Sequence, residues 1–311
     1  AARSIANTPA GDMTPHLLTH HAKKTLRQLP VKITIFDEKR LVKEKMMGII
    51  AVGKGSEAPP RFMILEYRGG TKGEAPMVLV GKGVTFDSGG INLKPTQYIL
   101  GMNMDMSGAA TVLHVLAACA RLGVKKNLVV LIPAVENMIS GKSYRPGDII
   151  RTASGKTIEV QDTDAEGRII LSDALHFAKR YKPSLVIDVA TLTGAAMVAL
   201  GERASALFTE DEKLEKALRH ISMRVGDPVW PLPLWDEYAE DITGTYGDIG
   251  NVGNTRYGGA ITAALFLKQF VDYPWVHLDI APRMVANTSE HLAKGSLGAG
   301  VQLLVQFLIQ K

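Results

Sequence analysis

The chain has 311 residues, 46% hydrophobic and 22% charged, with a formal net charge of +5. That is the composition of a soluble globular protein with a sizeable core, one or two α/β domains long, and it excludes a disordered or fibrous chain. Lysine pairs at 23–24 and 125–126 form no stripe, so nucleic-acid binding is disfavoured, and a single cysteine, Cys119, rules out an internal disulfide framework.

In chain order, Thr14-Pro15 reads as an N-cap with proline at the first helical position, opening a helix to about residue 29. His16, His20 and His21 within it lack the partner spacing of a metal motif and read as surface or structural side chains. Residues 31–36 alternate as a strand, 37–47 form a short charged helix, and 48–53 and 61–67 read as strands. Residues 77–80 are fully apolar, as in a strand buried in a parallel sheet. The run GKGVTFDSGGINLKP at 81–95 is too rich in glycine for a plain element and reads as a functional loop. A helix over 107–122, apolar nearly all round, closes at Gly123, and Cys119 within it reads as a small core residue, not a nucleophile.

A buried strand follows at 127–136, then a loop at 141–150 and a small hairpin near Ser154-Gly155. The hairpin leads into VQDTDAEGRIILSD at 160–173, where Asp162, Asp164, Glu166 and Arg168 fall within seven positions and run into a helix. Strands at 184–190 and 204–208, an amphipathic helix at 211–225 with Leu214, Leu218 and Ile221 on one face, and a glycine-rich loop at 244–259 come next. A helix at 260–271, a strand at 275–279 and a closing helix at 297–309 complete the chain. The most membrane-like window, 184–201, is broken by Asp188 and hydroxyl residues and divides into a strand and a helix start, so no membrane span is expected. No signal peptide is visible, and the Ala1-Ala2 opening reads as a processed form or a piece of a longer product. The alternation implies an α/β fold with a mostly parallel central sheet covered by helices on both faces. Ligands in such sheets lie beyond the carboxyl ends of the strands. Three polar stretches fall there, at 82–94, 162–168 and 191–194.

The chemistry follows from the residue types. Asp87, Asp105, Asp164 and Glu166 are candidate ligands, and four converging carboxylates are tolerable around two divalent cations. Two such cations activate a shared water for hydrolysis without a serine or cysteine. Lys82 and Lys94 flank Asp87: one, depressed by the cations, suits a nitrogen ligand, and the other suits oxyanion stabilisation. The Arg168 guanidinium suits a carboxylate or bicarbonate. The bland alternatives are an acidic turn capping a helix and ordinary salt bridges from the lysines to Asp87. Spacing leaves a peptide and a phosphoester both open as substrates. The GKG at 53–55, lacking the following Lys-Ser/Thr of a P-loop, counts against nucleotides.

These residues resemble the leucyl, or cytosol, aminopeptidase family of metallopeptidases. The family signature NTDAEGRL stands here as DTDAEGRI at 162–169, and its companion as VGKGVTFDSGG at 80–90, followed by INLKP and MNMDMSGAA. RPGDII, DVATLTGA, GGAITAALFL and HLDIA extend the likeness along the chain. The resemblance implies that Asp87 and Glu166 bridge two metals, that Lys82 and Asp105 complete the exchangeable site, and that Asp164 completes the tighter one. It implies Zn²⁺ or Mn²⁺, with Co²⁺ and Mg²⁺ also suited to parts of the set. Lys94 would polarise the scissile carbonyl, and Arg168 would hold a bicarbonate acting as general base. Met102, Thr191, Leu192, Gly194, Ala281 and Met284 would line an apolar pocket for a leucine-like N-terminal side chain. It further implies peptide substrates with a free N-terminus, a cytoplasmic homohexamer, and a single catalytic domain over 1–311 without the family's additional N-terminal domain. Asp162 replaces the usual asparagine, and KGSLGAGVQ at 294–302 departs from the family's KGATGxPVR.

Overall fold

The computed structural model describes residues 1–310; Lys311, the last residue of the expected domain, lies outside the described residues. The strands in chain order are β1 (Val31–Phe36), β2 (Arg61–Arg68), β3 (Met77–Gly81), β4 (Gly83–Asp87), β5 (Asn127–Asn137) and β6 (Ile149–Arg151). They continue as β7 (Thr157–Glu159), β8 (Leu185–Ala190), β9 (Ser205–Phe208), β10 (Val229–Pro231), β11 (Ile249–Gly250) and β12 (Trp275–Asp279). The main sheet runs β1-β2-β5-β3-β8-β12-β9-β10, with β4 also paired to β5, and a small sheet runs β11-β7-β6. The middle of the main sheet is parallel: β5, β3, β8 and β12 all point the same way. The β1–β2 edge and the β12–β9 pairing are antiparallel, which makes the sheet mixed.

Period-two alternation along these strands feeds two cores. Leu128, Val130 and Ile132 of β5, Leu79 of β3 and Ile187 of β8 face one side, against helices Pro15–Leu26, Ser107–Arg121, Glu212–Val225 and Val301–Ile309. Val129 and Leu131 of β5, Val78 and Val80 of β3 and Val186 of β8 face the other, against helices Met47–Gly53, Glu166–Ala178, Gly194–Leu200 and Gly259–Lys268. Cys119 is buried in the first core, where desolvation pushes its thiol up to about 11, so it is the small core residue expected. Thr14 caps its helix by accepting from the Leu17 N–H, with Pro15 at the first turn.

Three elements differ from the expectation. Residues 48–53 are not a strand: they lie in the helix Met47–Gly53. A short, wholly apolar run carries no period, and here packing against helix Glu166–Ala178 decides it. Residues 81–95 are not all loop, because Gly83–Asp87 forms β4 beside β5. The closing helix begins at Val301, after Gly298 and Gly300, both at positive φ. The 184–201 window divides as expected into β8 and helix Gly194–Leu200. Among the described residues no helix is long and apolar enough to cross a membrane.

Candidate metal centre and active site

The central strands end where the polar stretches begin. Lys82 follows β3, Asp87 closes β4, Thr191–Gly194 follow β8, and Ala281 follows β12. Lys82 interrupts what would be one long strand. Its N–H donates to the Val189 carbonyl at 3.0 Å, its own carbonyl accepts from the Ala109 N–H at 2.8 Å, and its side chain is directed into the cluster. Glu166 opens its helix, where the positive dipole end favours a carboxylate. Gly167 beside it is sterically required: a Cβ there would stand 2.6 Å from Lys82 Cε and 2.8 Å from Nζ.

Asp87, Asp164 and Glu166 each offer a carboxylate oxygen within 4.8 Å of the other two. Lys82 Nζ lies 2.8 Å from Glu166 Oε1 and from Asp105 Oδ2, bringing the fourth carboxylate into the cluster. Lys94 Nζ lies 2.8 Å from Asp87 Oδ2 and 2.5 Å from Asp164 Oδ1. All but the partly exposed Asp164 and Lys94 are nearly withdrawn from solvent. Burial opposes the charge on Lys82, but Asp105, Glu166 and Asp87 outweigh it and hold the ammonium above its ordinary value. For Lys94 the same burial is outweighed by Asp87, Glu166 and Asp164. Burial and neighbouring carboxylates push Asp105 and Asp164 upward against the pull of these lysines. The protein's own groups therefore keep both lysines charged, and only the like charge of cations can make Lys82 a neutral ligand.

Four carboxylates against two ammonium groups leave negative charge uncompensated in a buried place, which is costly. Glu166 Oε2 is buried without a hydrogen-bond partner. Hard oxygen donors, a spare carboxylate oxygen and an amine fit divalent cations. Arg168 is buried behind the cluster, and its Nη1 donates to the Asn251 carbonyl at 2.8 Å. Burial lowers its guanidinium to about 10, still charged at neutral pH, and its buried Nε has no partner, which fits an oxyanion.

The cluster forms the floor of a cavity of about 540 Å³. Met102, Leu192, Gly194, Ala281 and Met284 line it. Thr191 lines it too, but its hydroxyl donates to Asp105 Oδ1 at 2.6 Å and its carbonyl accepts from Lys82 at 2.8 Å, so it also holds the cluster. Arg168 is not on the cavity wall. Tyr98, Met197 and Val198 extend the apolar wall and were not singled out from sequence. Met197 stands three positions after Gly194 on helix Gly194–Leu200, one turn along the same face, and that spacing was the available signal.

Sequence reasoning also missed the residues that fix the loops. Asn137, the last residue of β5, donates through Nδ2 to Asp87 Oδ1 at 2.8 Å and to the Thr163 carbonyl at 2.9 Å. Tyr144 donates to that carbonyl as well, at 2.7 Å. Thr163 Oγ1 donates to the Gly89 carbonyl at 2.7 Å and accepts from the Asn92 N–H at 2.9 Å, joining the 88–94 loop to the acidic turn. Asp279, closing β12, accepts from the N–H groups of Leu192 and Ala281 and from the Thr193 hydroxyl. Neutral amides and hydroxyls carry no chemical signature in sequence.

Comparison with known proteins gives a family match along nearly the whole chain. Residues 1–305 match the family described as "Cytosol aminopeptidase family, catalytic domain". A "Probable cytosol aminopeptidase" of Methylibium petroleiphilum is 47% identical over 311 residues, covering 100% of this chain and 63% of its own length. One from Burkholderia mallei is 46% identical over 310 residues, covering 99% and 61%. The chain thus spans about three fifths of the curated relatives it matches. Among solved structures, the bottromycin maturation enzyme BotP superposes with a TM-score of 0.92 at 39% identity, covering 99% of this chain and 67% of that one. Its complex with Mn superposes at 0.93 with 38% identity, covering 99% and 68%.

Proposed function

We propose, on the premise that this chain belongs to the cytosol aminopeptidase family, that it removes N-terminal residues from peptides, leucine-like ones first, by two-metal hydrolysis. One observation carries the reading: four carboxylates and two lysines converge on the floor of a cavity whose walls are apolar. Lys82, Asp87, Asp105, Asp164 and Glu166 would hold the cations, Asp87 and Glu166 between them. Bound there, two divalent cations supply Lewis acidity and a water acidic enough for hydrolysis near neutral pH. Mn²⁺ and Zn²⁺ are the first candidates, the former bound by BotP, a protein of the same fold.

The chain's own residues then divide the work. Lys94, which lines the cavity beside Asp87 and Asp164, would present its ammonium to the scissile carbonyl oxygen, where negative charge develops. Arg168 would hold bicarbonate, the general base of this reading, through the Nε that has no protein partner. Met102, Met284 and Ala281 give the side-chain pocket apolar walls, which favour leucine-like over charged residues. The reading carries with it a cytoplasmic homohexamer, and the exposed Leu100 and Val198 near the cavity offer apolar surface for contacts between copies.

The test is hydrolysis of leucine p-nitroanilide before and after chelation, with Zn²⁺ and Mn²⁺ added back separately. Activity lost to the chelator and restored by metal is expected, and Glu166→Gln should remove turnover while leaving the circular dichroism spectrum intact. Full activity in Glu166→Gln, or hydrolysis of p-nitrophenyl phosphate in place of the anilide, would overturn the assignment.

A further inference from the structure

The glycine-rich segment between Gly244 and Gly259 places one side chain deep inside the molecule. Asn251 has no solvent exposure. Its Oδ1 accepts from the Gln161 N–H at 2.7 Å and the Asp162 N–H at 3.2 Å. Its Nδ2 donates to the Asp162 carbonyl at 2.5 Å and the Ala165 carbonyl at 3.4 Å. Its backbone N–H donates to the Glu159 carbonyl at 3.0 Å, and its carbonyl accepts from Arg168 Nη1 at 2.8 Å. The side-chain amide therefore spans the turn on both sides of Asp164 and ends one residue before Glu166, and by holding residue 251 in place it sets the position of the backbone carbonyl that accepts from Arg168.

The segment is built to deliver that side chain. The Glu159 carboxylate accepts from the N–H groups of Thr245, Tyr246 and Gly247 at 2.7, 2.7 and 3.3 Å. β11 pairs with β7 immediately before Asn251, so the residue enters from a fixed strand and not from a free loop. Gly250 leaves room for the contact: a Cβ there would stand 2.8 Å from Gln161 Oε1. An aspartate at 251 would keep the two accepting contacts but set a carboxylate oxygen against two carbonyls. A leucine would take this partner from the Gln161 and Asp162 N–H groups and the Ala165 carbonyl in a half-buried place, which is costly.

We propose that Asn251 is a positioning residue that fixes the acidic turn and the Arg168 guanidinium in one geometry, so that it governs both cation affinity and use of the bicarbonate base. This rests on the two-metal reading above. Residues that orient ligands in this way change metal affinity or activity by about 10–100-fold when replaced.

The experiment compares wild-type protein with Asn251→Ala and Asn251→Asp. Mn²⁺ affinity is measured by calorimetry without substrate, kcat and KM with leucine p-nitroanilide at saturating Mn²⁺, the bicarbonate concentration giving half-maximal rate, and the melting temperature. The expected result for either folded variant is Mn²⁺ binding weakened about 10–100-fold, a lower kcat at little-changed KM, and a raised half-saturating bicarbonate concentration. If Asn251→Ala does not fold, Asn251→Asp carries the test. A folded variant with wild-type Mn²⁺ affinity and wild-type bicarbonate dependence overturns the proposal, even if its melting temperature falls, because a merely structural role moves only the last. If the wild-type chain itself takes up no Mn²⁺ or Zn²⁺, the two-metal reading fails and this inference falls with it. If the wild type binds and turns over while the variants match it, Asn251 alone is refuted.

Discussion

Asp279 joins two walls of the cavity that come from different strands. Its Oδ1 accepts from the Leu192 N–H at 3.0 Å, after β8, and from the Ala281 N–H at 3.1 Å, after β12. Its Oδ2 accepts from the Thr193 hydroxyl at 2.7 Å, the same hydroxyl that caps helix Gly194–Leu200 by accepting from the Ala196 N–H. Burial pushes this carboxyl upward, and His277 with these donors pulls it back. Asp279→Asn keeps the shape but turns an NH₂ group toward groups that already donate. A hydrogen bond to a charged partner is worth about 1.5–3 kcal/mol, and a 1.4 kcal/mol difference is tenfold in an equilibrium. The pocket should loosen where the substrate side chain sits, so KM for leucine p-nitroanilide should rise about tenfold or more with a smaller change in kcat. Steady-state kinetics decides this, and an unchanged KM would remove Asp279 from the pocket's support.

At the scale of an element, helix Glu166–Ala178 is both ligand carrier and anchor. Glu166 and Arg168 sit in its first turn, and Asp173 lies fully buried further along. Helix Met47–Gly53 has no capping side chain of its own, and Asp173 supplies one from across the core. It accepts from the Ile49 N–H at 3.1 Å, with Gly48 contributing, and from the Ala153 N–H at 2.9 Å. This is why residues 48–53 are helical although their sequence shows only apolar character: the donors of the first turn find a remote carboxylate. Local reading found the metal-type cluster because charged residues crowd into a few positions, but it could not find a cap 124 residues away. Asp173→Asn should destabilise the fold by about 1–3 kcal/mol, because one buried N–H loses its acceptor. Burial raises Asp173 to about 7, against the amides that pull it down. A carboxyl raised on folding contributes stability fully present below its unfolded value of about 4 and lost as pH rises through about 7. The gap between wild type and variant in urea unfolding should therefore be wider at pH 5.5 than at pH 8. A gap that widens above pH 7 would mean that the amide bonds, not burial, dominate at Asp173.

Across the whole molecule, the sheet was readable because β3, β5 and β8 are apolar on both faces, which only a strand covered by two helical layers tolerates. The antiparallel β1–β2 edge and the short β10 were not readable, since pairing direction and three-residue strands leave no period in sequence. β4 was hidden by its flanking glycines, although it delivers Asp87. The same topology makes cation binding a long-range matter. Asp87, Asp105 and the Asp164–Glu166 turn come from three separated segments, brought together only when β4, the 102–106 turn and helix Glu166–Ala178 are packed. An unfolded chain holds no such site, so cations that bind it stabilise the native state by mass action. At about 100 times the dissociation constant the gain is about 2.7 kcal/mol. For a chain of this size that corresponds to a rise in melting temperature of roughly 5 °C. Calorimetric scans with Mn²⁺ and with EDTA should show this difference, and Glu166→Gln should shrink it by removing a charge that the cations offset. A melting temperature indifferent to Mn²⁺, Zn²⁺ and EDTA would mean that the carboxylates are satisfied by Lys82 and Lys94 alone, and the cluster would then be an ion-pair network and not a metal centre.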